Sequence, residues 1–96
     1  MIKHIVFLKF KPEATAEQRR EIIEELRALP AQIDVIREYE VGEDVLKSPR
    51  SWDAALVGTY DSLEALKTYS EHPAHVAVVQ KIRVISEGAA SVDFEV

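Results

Sequence analysis

The sequence predicts an α+β fold in which strands and helices follow the order β-α-β-β-α-β. Three observations support this prediction. Apolar residues alternate with other residues near both ends of the 96-residue chain and in two central segments, which is typical of strands. Two further segments carry apolar residues at helical spacing, and turn or capping residues separate the segments. A chain of this length buries one modest core, so residues 1–96 are expected to form a single domain.

The first strand is predicted over residues 2–10, which alternate between two faces and are apolar at the centre of both. A helix is expected to follow, because Thr15-Ala16-Glu17-Gln18 has the form of a capping box in which Gln18 bonds back to Thr15. Pro30 is expected to end this helix. Its apolar stripe consists of Ile22, Ile23, Leu26 and Leu29.

Two strands joined by a loop are predicted in the middle of the chain. Residues 33–41 alternate, with Tyr39 on the more apolar face. Residues 52–60 are apolar on both faces, which is typical of a strand at the centre of a sheet. Residues 42–51 contain glycine, serine and proline and predict the loop between these strands.

The second helical region is predicted to break at His72-Pro73, because proline fits the first turn of a helix and not its interior. Asp61 or Ser62 caps the part before the break, and Gly88 is expected to end the part after it. The apolar positions of the helical region are Leu63, Leu66 and Tyr69 before the break, and Val76, Val79, Ile82 and Ile85 after it. A last strand is predicted by the alternation of Ala90, Val92, Phe94 and Val96 with other residues. The complete order is the split βαβ, or ferredoxin-like, arrangement, with both helical regions on one face of an antiparallel sheet.

Composition argues against several classes of function. Seventeen acidic and twelve basic residues give a net charge of −5, which disfavours nucleic acid and anionic membranes as partners because both require clustered basic side chains. The absence of cysteine excludes disulfides, thiolate nucleophiles and cysteine-bound metals. The apolar start of the chain is too short and too regularly charged for a signal peptide, and no run has the length of a membrane span. A cytoplasmic protein is therefore expected.

The two central strands are apolar on both faces, which predicts a homodimer. One face carries Val6, Leu8, Ala54 and Leu56, and the opposite face carries Ile5, Phe7, Ala55 and Val57. Helices cover only one face, so a monomer leaves the other in water at a cost of roughly 25 cal/mol per Å² of apolar surface. A second copy, packed sheet to sheet about a two-fold axis, removes this cost. The expected partner is thus the chain itself, through the face that carries Ile5, Phe7, Ala55 and Val57.

Proton-transfer side chains are concentrated in the segment Tyr69-Ser70-Glu71-His72-Pro73-Ala74-His75, where the two helical parts meet. His75 shares a helix face with the apolar positions that follow it, and Tyr69 continues the inward stripe before the break. His4 lies on an otherwise apolar face of the first strand. His75, Tyr69 and His4 are therefore the candidate catalytic residues of a pocket between helices and sheet. The residues expected to line this pocket are Val6, Leu8, Ile23, Leu26, Leu56, Leu66, Val79 and Ile82.

Three interpretations of this cluster are open. In the first, a partly desolvated His75 favours its neutral form, as a general base requires, and Tyr69 stabilises developing negative charge. In the second, the two side chains bond each other or backbone carbonyls as a purely structural joint. In the third, His72 and His75 bind a metal with Glu71 or His4, but no further ligands complete a coordination sphere. Neither a metal nor a cofactor is expected.

The opening Lys3-His4-Ile5-Val6-Phe7-Leu8-Lys9-Phe10-Lys11, the capping box and the segment from Tyr69 to His75 together resemble the stress-responsive dimeric α/β-barrel (Dabb) domain family. The likeness follows the whole chain in the right order. It implies a ferredoxin-like protomer and a homodimer whose two sheets form a barrel. In a plant polyketide cyclase of this family, the residue matching His75 is the catalytic base, the one matching Tyr69 assists it, and the one matching His4 lines the pocket. Most members have no assigned activity.

The expected function is that of a small Dabb dimer that binds a hydrophobic small molecule or acts in stress protection, without known catalysis. The alternative is a cofactor-independent enzyme, similar to a polyketide cyclase, that uses His75 as general base. Whether residues 43–51 cover the pocket is a question for the structure.

Overall fold

Four strands and three helices follow one another in the predicted order, with the second helical region divided in two. The computed structural model describes residues 1–96. The strands are β1 (Ile2–Phe10), β2 (Glu38–Glu43), β3 (Ala54–Tyr60) and β4 (Ser86–Glu95). The helices are α1 (Ala16–Arg27), α2 (Leu63–Glu71) and α3 (Pro73–Ile85), and a 3-10 turn at Leu29–Ala31 follows α1.

The strands form one antiparallel sheet in the order β2-β3-β1-β4, with β1 and β3 at the centre as predicted. Directly opposed residues of antiparallel strands point to the same face. His4 therefore shares a face with Gly58 on β3 and Asp93 on β4. The helices pack on this face, where the buried core joins residues of α1, α2 and α3 to residues of β1 and β3. The ferredoxin-like α+β fold is thus confirmed.

Three predicted helix signals are confirmed. The Thr15 side chain accepts a hydrogen bond from the Gln18 backbone N–H at 3.1 Å, and the Gln18 side chain accepts one from the Thr15 N–H at 2.9 Å, which completes the capping box. Ser62 caps α2 through its side chain. The helical region breaks at His72-Pro73, with proline in the first turn of α3. None of the helices combines the length and the apolar character needed to cross a membrane.

The strand predicted over residues 33–41 is wrong in its position, since β2 begins only at Glu38. Before that point the chain turns: the N–H of Ile33 donates to the Leu29 carbonyl at 2.9 Å, and the N–H of Ile36 donates to the Ile33 carbonyl at 3.4 Å. Ile33 is nevertheless buried. Its side chain fills the core from a turn, and apolar alternation alone does not distinguish such a turn from a strand.

Two further boundaries differ from the prediction. Helix α1 ends at Arg27, and Pro30 lies inside the 3-10 turn that follows rather than at the end of the helix itself. Strand β3 begins at Ala54 instead of residue 52. The carboxylate of Asp53 accepts the Phe10 N–H at 2.7 Å, so a side chain occupies the place of a ladder carbonyl at this end of the sheet.

The passage from α3 to β4 also differs from the prediction. Helix α3 ends at Ile85 and β4 begins at the next residue, so Gly88 lies in the strand and does not end the helix. The cause is the length of β1, which pairs with β4 as far as Phe10 opposite Ser86. The Lys11 N–H then donates to the Ile85 carbonyl at 2.8 Å, and no loop separates helix from strand.

The face of the sheet away from the helices, which we call the open face, has no covering element. Phe7 is 36% exposed there, and Trp52 lies against it with the ring centroids 6.3 Å apart. The other predicted members of this face, Ile5, Ala55 and Val57, are half-buried. The helix-covered face therefore holds the core, and the open face remains apolar and partly in contact with water.

Candidate functional site

A cavity of about 390 Å³, which we call the His75 cavity, lies between α3 and the helix-covered face of the sheet. Its walls come from β1, β3 and β4 on one side and from the three helices on the other, and nine of its 14 lining residues are hydrophobic. Its size is in the range of small-molecule pockets. His4, Tyr69 and His75 all border it, so the structure brings the three candidate residues together.

His75 is held by the break between α2 and α3. A helix leaves its last carbonyl groups without an intrahelical donor, and the carbonyl of Ser70 in the last turn of α2 lies 3.0 Å from Nδ1 of His75. Because a carbonyl only accepts, Nδ1 carries the proton and donates it. In the neutral ring the unprotonated nitrogen is then Nε2, which is free to accept a proton.

Burial favours the neutral form of His75. Desolvation is the main cause that lowers the pKa of His75 below its ordinary value, and the proximity of His4 lowers it further. The hydrogen bond to the Ser70 carbonyl acts in the opposite direction. A neutral imidazole with a defined tautomer is the form that a general base requires.

Tyr69 packs directly against His75, with the ring centroids 4.4 Å apart, and is 0% exposed. Its hydroxyl is 2.8 Å from the hydroxyl of Tyr39. In this pair one hydroxyl donates to the other, so the accepting hydroxyl keeps its own proton free for a further acceptor. Burial raises the pKa of Tyr69 and of Tyr39 well above the ordinary value, and both phenols therefore stay protonated at neutral pH.

The other two tyrosines, Tyr39 and Tyr60, are neighbours of the site that were not predicted from the sequence. The Tyr60 ring lies 5.0 Å from the Tyr69 ring, and its buried hydroxyl has no hydrogen-bond partner in the protein. Burial raises the pKa of Tyr60 as well. Alternation along the strands could have placed them, because Tyr39 lies opposite Gly58 and Tyr60 lies opposite Ile2, and both pairs are on the helix-covered face.

His4 is bonded to Asp93, which the sequence analysis also missed. Nδ1 of His4 contacts the Oδ1 atom of the Asp93 carboxylate, because β1 and β4 place the two residues directly opposite each other. The carboxylate accepts a hydrogen bond from Nδ1, which fixes the orientation of the His4 ring beside the cavity. The His4 ring meets the Tyr69 ring edge-on at 6.2 Å. Only the register between the two ends of the chain reveals this pair.

His72 has a capping role and does not line the cavity. It ends α2 and begins α3, and its Nδ1 accepts the Ala74 N–H at 3.1 Å. This nitrogen is therefore occupied by the backbone. No group of three or more histidine, aspartate or glutamate side chains is arranged so that it could hold a metal ion.

The residues that line the cavity overlap largely, but not fully, with the predicted set. Those that do line it are Val6, Leu8, Leu26, Leu56, Val79 and Ile82. Ile23 and Leu66 do not, because Ile23 is buried in the core and Leu66 packs against that core. The apolar faces of α1 and α2 extend beyond the cavity, so some of their residues line the cavity and others pack in the core. The lining residues that were not predicted are Ser70, Arg83, Ala89, Ala90 and Ser91.

The loop between β2 and β3 lies elsewhere. None of residues 43–51 borders the His75 cavity, whereas Asp44 and Arg50 border a larger groove of about 580 Å³ on the open face. A further concavity of about 670 Å³ lies beside Asp61 and Phe94. Neither of these two is bordered by a histidine or a tyrosine. The His75 cavity differs from them by combining apolar walls with proton-transfer groups.

The fold and this cavity define a small ferredoxin-like protein with two anchored histidines and a buried tyrosine at an apolar site. The sequence matches the model of the stress-responsive A/B barrel (Dabb) domain over residues 2–96. The chain belongs to the Dabb domain family, as the resemblance of its motifs predicted.

Its relatives include an enzyme and proteins without a known function. An uncharacterised protein of Streptomyces coelicolor is 36% identical over 81 residues, which cover 82% of this chain and 84% of that protein. Olivetolic acid cyclase of Cannabis sativa is 31% identical over 77 residues, or 78% of this chain and 76% of the cyclase. The crystal structure of a dimeric ferredoxin-like protein of unknown function from Bacteroides fragilis shares 36% identity and a TM-score of 0.85, covering 99% of this chain and 95% of that one.

Proposed function

We propose that this chain forms a homodimer and binds a hydrophobic small molecule in the His75 cavity, in a stress-protective role that requires neither catalysis nor a cofactor. The observation that carries this proposal is the cavity itself, which offers about 390 Å³ behind predominantly hydrophobic walls. Apolar walls with a few placed polar groups are the usual form of a small-molecule site. The cytoplasm remains the expected location.

The open face supports the homodimer. Its apolar surface extends beyond Ile5, Phe7, Ala55 and Val57 to β4, where Val92 is 55% and Phe94 is 42% exposed. The strand register places Val92 opposite Ile5, on the same face. Apolar surface in water costs roughly 25 cal/mol per Å², and a two-fold related copy covers it with an identical patch. The Bacteroides fragilis relative is described as dimeric.

The dimer is tested by Phe7→Glu, which places a charge in the middle of the open face. Val84→Glu is the matched control, because Val84 is 68% exposed on α3, which lies on the opposite side of the sheet. Light scattering at micromolar concentration is expected to give a dimer for the wild type and for Val84→Glu, and a monomer for Phe7→Glu. A folded wild-type protein of monomeric mass would contradict the proposed dimer.

Ligand binding is tested by filling the cavity. Ala89 lines it from β4, so Ala89→Phe is expected to occupy the volume, whereas Ala77→Phe adds the same ring at an exposed position of α3 outside the cavity. The neutral fluorescent probe N-phenylnaphthylamine is expected to bind the wild type and Ala77→Phe and to lose affinity for Ala89→Phe. Absence of binding to the wild type, or equal binding to both variants, would refute the site.

A second function is favoured by the arrangement of His75, Tyr69 and His4. His75 has a lowered pKa and a free Nε2, and a neighbouring phenol keeps a proton to donate. A relative named as an enzyme, olivetolic acid cyclase, shares 31% sequence identity with this chain over 78% of its length. We therefore propose, as the alternative, a cofactor-independent cyclase-like reaction of a carbonyl compound in the same cavity.

In this reaction Nε2 of His75 removes a proton from the carbon next to a carbonyl group. The C–H bond breaks, an N–H bond forms, and the electron pair moves onto the carbonyl oxygen. In this reaction the Tyr39 hydroxyl donates to the Tyr69 hydroxyl, and the Tyr69 hydroxyl, which belongs to a cavity-lining residue, donates its own proton in a hydrogen bond to this oxygen. The enolate carbon then attacks a second carbonyl of the same molecule, and the imidazolium returns its proton to the new alkoxide. His4, held by Asp93, orients the substrate.

The chemical step is tested without knowing the substrate, by deuterium exchange next to the carbonyl of the methyl ketone decanone in heavy water. The wild type is expected to accelerate the exchange, and His75→Gln to lose roughly 100-fold of this acceleration. His72→Asn is the matched control, since asparagine also caps helices and His72 lies outside the cavity. Exchange that is absent from the wild type, or unchanged in a folded His75→Gln protein, would leave binding as the function.

A further inference from the structure

Arg83 is the one cationic side chain with a permanent charge among the lining residues of the His75 cavity. It is exposed and takes part in no hydrogen bond or salt bridge. Other basic side chains are engaged: Arg37 forms a bidentate pair with Asp61 at 2.6 and 3.0 Å, and Lys81, two residues before Arg83, pairs with carboxylates of α1. The guanidinium of Arg83 therefore stands at the cavity without a counter-ion.

The other lining residues leave this charge uncompensated. None of them is an aspartate or a glutamate, although the chain carries a net charge of −5. The carboxylate of Asp93 is bonded to His4. Ser91, on β4, offers a hydroxyl that takes part in no hydrogen bond to the protein. The lining of the cavity thus includes a cation without a counter-ion and a hydroxyl without a partner.

The separation of Arg83 and His75 along α3 indicates the length of a ligand that would reach both. Arg83 follows His75 by eight residues on α3, which separates their backbones by roughly 12 Å along the helix axis. That distance is about the length of an extended chain of eight to ten carbon atoms. The residues between them on the same wall, Val79 and Ile82, are apolar.

We propose that the ligand of the His75 cavity is an amphipathic carboxylate, with its carboxylate on Arg83 and its apolar chain running along α3 toward His75. The proposal rests on the proposed function, because it names the ligand class of the same cavity. Guanidinium groups bind carboxylates through two parallel hydrogen bonds, which fixes the orientation of the ligand as well as adding affinity. A neutral apolar molecule of the same length lacks this anchor.

The test compares decanoate with decanol, which differ in charge but little in length, by displacement of N-phenylnaphthylamine. Arg83→Gln is expected to weaken decanoate binding about five-fold, since the pair is open to solvent, and to leave decanol binding within about two-fold. Arg20→Gln is the matched control, because Arg20 is exposed on α1 and outside the cavity. Arg83→Lys keeps the charge without the planar fork and is expected to lie between the wild type and Arg83→Gln. Added salt is expected to weaken decanoate binding to the wild type but not to Arg83→Gln.

The outcomes separate the two proposals. If decanol and decanoate bind but Arg83→Gln affects both equally or neither, the carboxylate assignment is overturned while the cavity remains a binding site. If Arg20→Gln weakens decanoate as much as Arg83→Gln, the effect is a general one of net charge and the assignment also fails. If the probe binds the cavity but neither compound displaces it, the ligand class is overturned and the binding function stands; if the probe itself does not bind the wild type, the proposed binding function fails as well.

Discussion

Replacing Gly58 by alanine tests the packing of Tyr60 beside the candidate site. A Cβ atom on Gly58 would lie 2.7 Å from the Tyr60 hydroxyl oxygen and 3.0 Å from Cε1 of the same ring. Tyr60 is 0% exposed and packs against Tyr69, so its ring has little room to move. Overpacking of this kind costs about 1–3 kcal/mol, and the removal of a strand glycine returns about 0.5–1 kcal/mol. The midpoints of these two ranges predict that the free energy of unfolding falls by about 1 kcal/mol.

A second substitution identifies the Tyr60 hydroxyl as the cause. This hydroxyl is buried without a partner, so Tyr60→Phe alone is expected to be neutral or to stabilise by up to about 1 kcal/mol. In the double variant Gly58→Ala/Tyr60→Phe the nearest contact is relieved, and a coupling of at least about 0.5 kcal/mol is expected. Gly42→Ala is the matched control on β2, because nothing lies within 4 Å of the Cβ position there.

The assay is urea denaturation followed by circular dichroism, at one fixed protein concentration because dimerisation adds to the apparent stability. The reasoning is refuted if Gly58→Ala is as stable as the wild type. It also fails if the two substitutions are strictly additive, since the hydroxyl would then not be the atom that the new methyl group meets.

Three further predictions concern titration and capping. The pKa of His75 measured by NMR is expected below the ordinary value of about 6.5. The stability that the neutral ring contributes is therefore present above about pH 6.5 and is lost as the pH falls through the folded-state pKa. A measured pKa at or above 6.5 contradicts the burial argument. Burial raises the pKa of all three tyrosines. Phenolate absorbance is therefore expected to appear only together with unfolding, and the free energy of unfolding to fall as the pH rises above about 10. Phenolate formed at pH 10 with unchanged circular dichroism would refute this prediction. Thr15→Ala removes the capping box and is expected to cost about 1 kcal/mol in urea denaturation, whereas Thr15→Ser retains most of it; equal losses in both would contradict the assignment.

The fold was predictable from local patterns because each element carries its own signal. The capping box at Thr15, the proline at position 73 and the alternation of β1 report interactions between residues close in sequence. The errors arose where distant residues decide. Ile33 is buried in a turn instead of a strand, and the start of β3 depends on a bond between Asp53 and Phe10, which are 43 residues apart.

The candidate site follows the same rule. The inward aim of His75 and Tyr69 follows from helix periodicity, and that of His4 from strand alternation. The partner of His4 is 89 residues away, and the partner of Tyr69, Tyr39, is 30 residues away. These bonds depend on strand register and on how α2 crosses the sheet, and neither is encoded in a local pattern.

The central claim is that the His75 cavity binds a hydrophobic molecule, and an NMR titration of the isotope-labelled protein with decanol tests it most directly. Amide shifts are expected to concentrate on residues that line the cavity from different elements, such as Leu56, Val79 and Ala89. The claim is contradicted if decanol perturbs no amides, or only those beside Phe7 and Trp52 on the open face.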